Sequence, residues 1–427
     1  MTAEPRRLTA DLAIVGTGLA GFAASVFALD RGLATVQLGH AGALSYTTGY
    51  FDLLGYDHGR PIADPWAALA DLGTRWPDHP LARLPRATIE DALHRFARAI
   101  SDLGIAYVPP GAANVRALLP TGLAKATCAI PRTMAAGATA LAEKKPAVIL
   151  DLVGVVGFSA KEFVANFAAE WPGLTAARVG FPDMDGGGEA YPEVMARALE
   201  VRATRERLAE RIRAVVGAAD CVGLPAILGV HAPDRVHAAM EDLVGLPIFE
   251  IPTMPPAVPG LRLRELLEQA MPARGLTLIS QHKAASATLH PDRIALGYRD
   301  NFGGVVIETK TAILATGRFL SGGLVAERTG LRETLLDLPV DQPASRADWH
   351  RDDGFDPRGH PINRAGLRVD DAFRPLGREG GPVHPGLFAA GSILAGQDWV
   401  RQRCGAGLAI ATARHAVDGA AARLARR

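Results

Sequence analysis

The first forty residues alternate between apolar runs and short glycine turns in the order strand, helix, strand. Residues 11–21 (DLAIVGTGLAG) open with an apolar run that predicts a buried parallel strand. Four alanines at helical spacing, Ala20, Ala23, Ala24 and Ala28, predict a helix that packs close to a sheet, and the apolar run 34–38 (ATVQL) predicts the next strand. Together these patterns predict a β-α-β unit.

The turn between the first strand and the helix has the glycine spacing G-x-G-x-x-G. Gly16 allows a tight turn, Gly18 lets a phosphate approach the backbone, and Gly21 lets the helix contact the strand. The free N–H groups at Leu19 and Ala20 and the positive end of the helix dipole then face an anion. We therefore predict a nucleotide site here, the alternative being a tight turn without a ligand.

The same region also fits a different interpretation, because residues 12–29 carry no charge and Arg6 and Arg7 precede them. Such a pattern is found in signal peptides and membrane anchors. Three glycines at fingerprint spacing fit a turn better than an apolar helix, and no cleavage site stands out. We expect neither export nor a membrane-spanning segment.

Later elements predict how the chain is divided. Two antiparallel strands at 293–297 and 305–309 lead into an apolar strand that ends in the A-T-G turn at residues 315–317, and residues 386–391 (GLFAAG) repeat that arrangement before a last helix at 405–422. We predict an α/β fold: a three-layer, Rossmann-like domain with a mostly parallel sheet and an inserted α+β cap or substrate domain. The expected bounds are 8–172 and 273–427 for the first and 173–272 for the insertion.

Composition limits the kinds of ligand. The 427 residues are 48% hydrophobic and 21% charged, which is typical of a globular protein with a large core and room for two domains. The formal net charge is +1, so no overall field attracts nucleic acid or anionic lipid. An anionic substrate must therefore be held by a local group of arginines or lysines.

The cysteines indicate no metal chemistry. Cys128, Cys221 and Cys404 are far apart in sequence, and no C-x-x-C occurs. We therefore expect neither a redox dithiol nor a zinc or iron–sulfur site, and we interpret the cysteines as buried thiols of a cytoplasmic protein.

The end of the second strand departs from the usual dinucleotide pattern. An acidic residue there would bind the adenosine ribose, but Gly39 occupies the position. Either an adenosine group is held loosely or the cofactor has no adenosine.

The three glycine turns together resemble the glutathione-reductase-type flavoprotein fold. Within that group, nearly the whole chain resembles the family of B subunits of anaerobic glycerol-3-phosphate dehydrogenase. The resemblance rests on residues 45–54 (SYTTGYFDLL), 223–229 (GLPAILG), 251–260 (IPTMPPAVPG) and 315–327 (ATGRFLSGGLVAE).

That resemblance implies a flavin subunit, usually assigned FMN, that oxidises sn-glycerol 3-phosphate to dihydroxyacetone phosphate. It also implies two partners, a second flavoprotein subunit and an iron–sulfur subunit, which hold the protein at the cytoplasmic face of the inner membrane and pass electrons toward quinones. FMN agrees with Gly39, whereas the G-x-G-x-x-G turn favours the pyrophosphate of FAD. The sequence leaves this choice open.

The resemblance also implies further cofactor contacts. These residues lie in a loop along the flavin edge, in the second and third turns, and at the start of the last helix, whose dipole would stabilise the negative charge of reduced flavin. They are Thr47, Thr48, Gly49, Ala315, Thr316, Gly317, Gly391, Ser392, Gly405, Ala406 and Gly407. Turns that satisfy only their own backbone are the alternative for Thr47 and Thr48.

Oxidation of a phosphorylated alcohol requires a clamp for the phosphate dianion and a base for the hydroxyl proton. The candidate phosphate ligands adjoin the second turn and the last helix: Arg318, Arg401 and Arg403. The candidate bases are Thr48, His350, His360 and His384, and no motif favours one of them.

Three functions remain open from the sequence. The first is oxidation of glycerol 3-phosphate by this chain itself. The second is electron relay or assembly, with another chain oxidising the substrate, and the third is independent oxidation of another small alcohol or acid. Retained flavin and turnover with an artificial acceptor would distinguish the enzymes from the relay.

Overall fold

A computed structural model of the chain describes residues 4–40, 42–184, 186 and 188–426. The strands are β1 (Arg6–Val15), β2 (Thr35–Gly39), β3 (Tyr56–Asp57), β4 (Arg60–Pro61), β5 (Tyr107–Val108), β6 (Val115–Leu119), β7 (Leu123–Thr127), β8 (Ile130–Pro131), β9 (Ala147–Leu152), β10 (Leu174–Val179), β11 (Cys221–Pro225), β12 (Ile248–Ile251), β13 (Thr277–Ser280), β14 (Ser286–Leu289), β15 (Ile294–Asp300), β16 (Gly303–Leu314), β17 (Leu324–Ala326), β18 (Leu331–Glu333), β19 (Val340–Asp341), β20 (Gly366–Leu367) and β21 (Leu387–Ala389).

The α-helices are α1 (Leu19–Leu29), α2 (Pro65–Arg75), α3 (Arg86–Leu103), α4 (Arg132–Glu143), α5 (Ala160–Phe167), α6 (Pro192–Ala198), α7 (Arg202–Arg213), α8 (Pro233–Val244), α9 (Val258–Ala273), α10 (Trp399–Gln402) and α11 (Gly405–Ala425). The chain forms two compact units. The first contains residues 1–43, 52–96 and 267–427, and the second contains residues 44–51 and 97–266.

The first unit is built on a mixed sheet in the order β13-β2-β1-β16-β15-β14, with β21 also paired to β16. The strands β13, β2, β1, β16 and β21 run parallel, and β14 and β15 complete the sheet as antiparallel strands. The carboxyl ends of β1, β16 and β21 are adjacent, because Val15 pairs with Leu314 and Leu314 pairs with Ala389. The turns that follow these strands therefore lie at one edge of the sheet, where open α/β sheets bind ligands.

Two helices rich in small residues cover this part of the sheet. Most of α1, including Phe22 and Phe27, is buried, and α11 buries a long row of alanines. Small side chains let the two helices pack closely, and a Cβ on Gly419 would lie 2.7 Å from the ring of Phe388 on β21. The predicted strands and helices of the first and last segments are thus present, except that the strand predicted at 305–309 and the apolar strand before the A-T-G turn form one strand, β16.

The second unit has its own parallel sheet in the order β10-β9-β11-β12. Its core contains Ile149, Leu150, Phe249 and Trp171, all buried. The strands β9, β11 and β12 are short, mostly apolar and almost wholly buried, as expected for parallel strands covered by helices, and the buried acid in β12 is Glu250.

This division differs from the predicted domain bounds. We expected the segment 8–172 to belong with 273–427, and the insertion to span 173–272. In the structure β9 pairs with β10 and β11 instead of with the first sheet, so the second unit already includes residues 97–172. A buried apolar strand looks the same in sequence whichever parallel sheet it joins, because both faces are covered in either case.

Among the described residues, none forms a helix with the length and apolar character needed to cross a bilayer.

Candidate functional site

The first glycine turn of the first unit is held by backbone contacts that exclude larger residues. Gly16 has φ +129°, and a Cβ on it would lie 2.2 Å from the carbonyl oxygen of Ala315. A Cβ on Gly21 would lie 2.1 Å from the Gly16 carbonyl oxygen, but a Cβ on Gly18 would meet no atom within 4 Å. Gly16 and Gly21 are therefore required by close backbone packing. Of the three glycines, Gly18 alone faces open space that a ligand can enter.

The helix that begins here carries no side-chain cap. Gly18 is the N-cap of α1, and no acidic residue lies in the first turn. The first N–H groups of a helix have no partner within the helix, so those at the start of α1, including those of Leu19 and Ala20, can bind an anion.

A buried glutamine supports the turn. The side-chain amide of Gln37 donates to the Gly16 carbonyl oxygen (2.8 Å), and the hydroxyl of Ser25 donates to Gln37 Oε1 (2.9 Å). Gln37 was not among the residues predicted from the sequence, although a polar residue inside the apolar strand β2 is a signal for such a role.

Packing leaves no room for a side chain at residue 39, where the usual dinucleotide pattern has an acidic residue. A Cβ on Gly39 would lie 2.6–2.7 Å from Thr17, and a Cβ on Gly42 would lie 2.0 Å from the Thr17 carbonyl oxygen. An acidic side chain at residue 39 is thus incompatible with this backbone. The chain therefore provides no ribose carboxylate at this point.

The second turn follows β16 and adjoins the first. The amide of Ala315 donates to the Val15 carbonyl oxygen (2.9 Å), and Gly317 has φ +66°. The hydroxyl oxygen of Thr316 is buried and has no hydrogen-bond partner among the described residues. Because a buried polar atom without a partner is costly, this hydroxyl is free to serve a ligand at the end of β16.

The third turn completes this edge of the sheet. A Cβ on Gly391 would lie 2.7 Å from the Cβ of Ala20, and the Ser392 hydroxyl lies 3.7 Å from the Cβ position of Gly317. The Gly391 amide donates to the hydroxyl of Thr412 on α11 (2.8 Å). The structure therefore brings together the predicted residues of all three turns, and it adds Thr412, whose sequence context gave no signal.

The start of α11 has the same uncapped character as that of α1. Cys404 is the N-cap without a side-chain hydrogen bond to the helix, and no acid lies in the first turn. A Cβ on Gly407 would lie 2.8 Å from the Cα of Leu53, and a Cβ on Gly405 would lie 3.3 Å from Trp399. Gly407 is therefore needed for packing, and the N–H groups of Gly405 and Ala406 remain at a positive helix end. Burial raises the pKa of the Cys404 thiol, so this sulfur stays protonated.

These features fit the phosphates of a flavin cofactor. The space beside Gly18, the uncapped start of α1 and the unpartnered hydroxyl of Thr316 provide donors for an anionic cofactor at the sheet edge. Gly39 has no side chain, so the carboxylate that usually binds the adenosine ribose is absent from this position.

Thr47, Thr48 and Gly49, for which the resemblance implied flavin contacts, belong to the second unit. The Thr47 hydroxyl donates to the Leu44 carbonyl oxygen (2.9 Å), and Thr48 Oγ1 accepts a long contact from the Tyr50 amide (3.5 Å). Gly49 has φ +79°, and its carbonyl oxygen accepts from the hydroxyl of Tyr107 (2.6 Å). The threonine side chains thus form the local turns that the sequence left as the alternative.

The surroundings of Arg318 do not fit the predicted role of phosphate ligand. Its side chain is only 8% exposed, and its guanidinium donates to the carbonyl oxygens of Asn363 and Ala365 (3.2 Å to the latter) and to Gln397 (3.4 Å). Burial lowers the pKa of Arg318 to about 10. Its donors are committed to the protein, so this residue is a structural cross-link.

The other two arginine candidates are accessible. Arg401 is half-buried and donates to the Gly354 carbonyl oxygen (3.2 Å), and Arg403 is exposed with a left-handed φ of +48°. Both remain candidate phosphate ligands.

The surroundings of His384 likewise do not fit its predicted role as a candidate base. It is buried, its Nδ1 accepts from the Gly386 amide (3.0 Å), and its Nε2 lies 2.8 Å from the His290 carbonyl oxygen, to which it donates. It precedes β21, whereas the cofactor turns follow the carboxyl ends of the strands. A ring with both nitrogens engaged at the opposite edge of the sheet does not serve as the base.

The remaining histidine candidates are neighbours. The rings of His350 and His360 are 5.2 Å apart in an edge-to-face arrangement. His360 accepts from the Arg351 amide (3.1 Å) and donates to the Gly354 carbonyl oxygen (3.1 Å), whereas His350 is exposed. His350 therefore has the more available ring. Across the described part of the chain, no group of three or more His, Cys, Asp or Glu side chains could hold a metal ion.

The chain is similar in sequence to named proteins over nearly its whole length. The chain is 29% identical over 412 residues to the B subunit of anaerobic glycerol-3-phosphate dehydrogenase from Yersinia pseudotuberculosis, covering 94% of this chain and 96% of that protein. It is 29% identical over 424 residues to a probable B subunit of the same dehydrogenase from Halobacterium salinarum, covering 95% and 96%. The resemblance predicted from the sequence is thus confirmed.

A solved structure, 3-ketosteroid delta1-dehydrogenase from Sterolibacterium denitrificans, is similar with a TM-score of 0.45 and 12% identity, covering 97% of this chain and 99% of that one. The family described as FAD binding domain matches residues 11–408. This match favours FAD and gives no support to FMN. The fold is that of FAD-binding flavoenzymes, the names and the match together support a flavin oxidoreductase, and the chain belongs to the FAD binding domain family.

Proposed function

We propose that this chain oxidises sn-glycerol 3-phosphate to dihydroxyacetone phosphate as the B subunit of a quinone-linked dehydrogenase. The observation that carries the proposal is similarity over 94–95% of the chain to proteins named as the B subunit of anaerobic glycerol-3-phosphate dehydrogenase. The three converging turns, with the open space at Gly18, support flavin binding in the first unit.

The chemistry that a bound flavin supplies is acceptance of the hydride from C2 of the substrate. The protein must then hold the phosphate and remove the proton of the C2 hydroxyl. The exposed His350 remains the candidate base, and Arg401 and Arg403 remain the candidate phosphate ligands. The uncapped start of α11 would stabilise the negative charge that reduction adds to the cofactor.

The proposal includes partners. The electrons must leave toward a quinone, and the three cysteines of this chain are separate buried thiols that provide no cluster for that transfer. A second flavoprotein subunit and an iron–sulfur subunit would carry the electrons and place the protein at the cytoplasmic face of the membrane.

Turnover by the purified chain tests this function. We expect an artificial electron acceptor to be reduced with sn-glycerol 3-phosphate and not with glycerol, and dihydroxyacetone phosphate to accumulate in equal amount. A chain that retains flavin but shows no turnover with either compound would contradict the proposal and favour the relay role. Turnover with another alcohol or acid alone would favour a stand-alone oxidoreductase.

The identity of the flavin is a separate measurement. Heating the purified protein releases the cofactor, and its mass distinguishes FAD from FMN. We expect FAD from the family match. A mass of FMN would instead agree with the absent acid at Gly39.

A further inference from the structure

An open pocket in the first unit lies beside the start of the last helices. The empty volume of the pocket is about 290 Å³, and this figure includes the open solvent at its mouth. Gln402, which lines it, is three residues before Gly405, so the two Cα atoms are at most about 11 Å apart. The pocket is therefore adjacent to the positive end of α11.

Three arginines and two aspartates line this pocket, and several of these charges are already paired. Arg358 forms an ion pair with Asp356 (2.6 Å), and Asp57 forms one with Arg75 (2.9 Å). The remaining lining charges are Arg364 and Arg401 against Asp398. Two guanidinium groups facing one carboxylate leave an excess of positive charge.

Arg364 is unusual in its surroundings. It is half-buried, and its guanidinium carbon lies 3.9 Å from the ring centroid of Trp76. Within the described ranges its side chain makes no hydrogen bond or close ion pair, and the charges that act on it at longer range are Asp398 and Arg351. The indole covers one face of the guanidinium, so the N–H donors at its edge are available to a ligand.

The backbone at Arg364 is fixed on both sides. Arg318 donates to the carbonyl oxygens of Asn363 and Ala365, and the Arg364 carbonyl oxygen accepts from the Gly396 amide (2.9 Å). The Asn363 side chain donates to Asp398 Oδ2 (3.0 Å), which also ties this segment to α10. A guanidinium held in advance loses little entropy when it binds an anion.

Arg401 adds a second donor from another element. It lies on α10, whose N-cap is Asp398, and the Arg401 amide donates to Asp398 Oδ1 (3.1 Å). Its only side-chain partner in the described part of the chain is a neutral carbonyl oxygen, that of Gly354 (3.2 Å). The guanidinium groups of Arg364 and Arg401 line one opening, and neither forms a hydrogen bond or ion pair with a carboxylate of the described residues.

We infer that this pocket binds the phosphate dianion of a small phosphate monoester through Arg364 and Arg401. Paired guanidinium groups match the geometry and charge of phosphate oxygens. The inference rests on the proposed function in one respect: the phosphate bound here is that of the substrate. Arg318, a sequence candidate for direct phosphate binding, acts instead as a positioning residue for Arg364.

Calorimetric titration of the flavin-loaded full chain with inorganic phosphate, which cannot reduce a flavin, tests the site without turnover. sn-Glycerol 3-phosphate is titrated into chain whose flavin has been reduced beforehand. We expect sn-glycerol 3-phosphate and inorganic phosphate to bind, glycerol not to bind, and the affinity to fall as sodium chloride increases. Arg364→Gln and Arg401→Gln should each weaken phosphate binding about tenfold or more, because a charge-assisted hydrogen bond is lost. Arg364→Lys should lose less than Arg364→Gln.

Arg358→Gln is the matched control, since Arg358 lines the same pocket but is paired with Asp356. Its affinity for phosphate should remain within about twofold of the wild type. Flavin content and melting temperature check that each variant is folded, and Arg401→Gln keeps the test valid if Arg364→Gln does not fold.

The outcomes separate this site from the proposed function. Unchanged phosphate affinity in Arg364→Gln and Arg401→Gln, or no phosphate binding by the wild type, would overturn the site. Arginine-dependent binding without any oxidation of sn-glycerol 3-phosphate would support the site and contradict the proposed function. Inorganic phosphate that competes with sn-glycerol 3-phosphate would identify both as ligands of one pocket.

Discussion

Gly16 and Ala315 are in direct backbone contact, at a distance that leaves no room for a side chain on Gly16. A Cβ there would lie 2.2 Å from the Ala315 carbonyl oxygen, and the Ala315 amide donates to the Val15 carbonyl oxygen (2.9 Å). The first and second glycine turns, which are about 300 residues apart in sequence, are therefore one structural feature. We expect their contact to form the floor of the flavin site.

Substituting Gly16 with alanine should disrupt the site and the fold around it. The residue has φ +129°, which costs a non-glycine residue about 1–3 kcal/mol, and the new Cβ would collide with Ala315. We expect Gly16→Ala to lower the melting temperature and to lose flavin, measured by thermal unfolding and by the flavin-to-protein absorbance ratio.

Gly18→Ala should behave differently, because its Cβ would enter open space. Gly18 has φ −85°, which any residue adopts, so the melting temperature of the flavin-free protein should change little. The added methyl group would occupy the space that a phosphate needs, and flavin affinity should fall about tenfold or more. Full flavin retention in Gly18→Ala would place the cofactor phosphates elsewhere.

Thr412 should be needed for the third turn. Its hydroxyl accepts from the buried Gly391 amide (2.8 Å), and valine has nearly the same shape without an acceptor. We expect Thr412→Val to reduce the free energy of unfolding by about 1–3 kcal/mol, since a buried donor is left unpaired. Denaturant unfolding measures this, and Thr412→Ser, which keeps the hydroxyl, should lose clearly less. Equal losses in both variants would assign the effect to packing.

The sequence was sufficient for the elements whose signal is local. The strand, turn and helix around Gly16 and the terminal helix α11 follow from apolar periodicity and glycine spacing, and both are present as expected. The sheet to which β9 belongs could not be predicted, because strand pairing depends on contacts distant in sequence.

The three glycine turns that the sequence singled out meet in the structure, whereas the surroundings of individual side chains could not be predicted, because burial depends on the whole fold. Arg318 follows the second turn, as expected of a ligand, but the sequence does not reveal that backbone carbonyls enclose it. Arg364 and Trp76 are far apart in sequence and carry no motif, so only the fold brings them together.

The second unit contains a buried ion pair that should be sensitive to loss of one partner. Arg262 donates to both oxygens of Glu250 (2.6 and 2.7 Å), and both side chains are at most 2% exposed. Burial alone would raise the pKa of Glu250, but Arg262, Thr133 and the Leu228 amide hold it below its ordinary value. We expect Arg262→Ala to lower the free energy of unfolding by about 3–5 kcal/mol, because the carboxylate stays buried without its partner.

An exposed pair provides the control for that measurement. Arg202 and Glu206 lie four residues apart on α7 with the Arg202 side chain 83% exposed. Arg202→Ala should cost less than about 1 kcal/mol in the same denaturant experiment. Similar losses for the two variants would contradict a special role for the buried pair.

His79 should make stability depend on pH in a defined window. The ring is fully buried, and burial lowers the pKa of His79 from 6.5 to about 4. The ring accepts from the Leu81 amide (3.2 Å) and donates to Gln402 (3.2 Å), so it is held neutral. As the pH falls below about 6.5, the unfolded chain takes up a proton that the native chain does not, and stability is lost down to about pH 4.

The full loss corresponds to about 3 kcal/mol at about 1.4 kcal/mol per pKa unit. His79→Gln has no titrating ring, so the free energy of unfolding of this variant should fall less than that of the wild type between pH 6.5 and 4. Parallel pH profiles for the two proteins would show that His79 titrates normally in the native state.

The most direct test of the central claim is an anaerobic visible spectrum of the purified, flavin-loaded chain before and after addition of sn-glycerol 3-phosphate. We predict prompt loss of the oxidised-flavin band with sn-glycerol 3-phosphate and no change with glycerol. A flavin band that chemical reductants bleach and sn-glycerol 3-phosphate does not would contradict substrate oxidation by this chain.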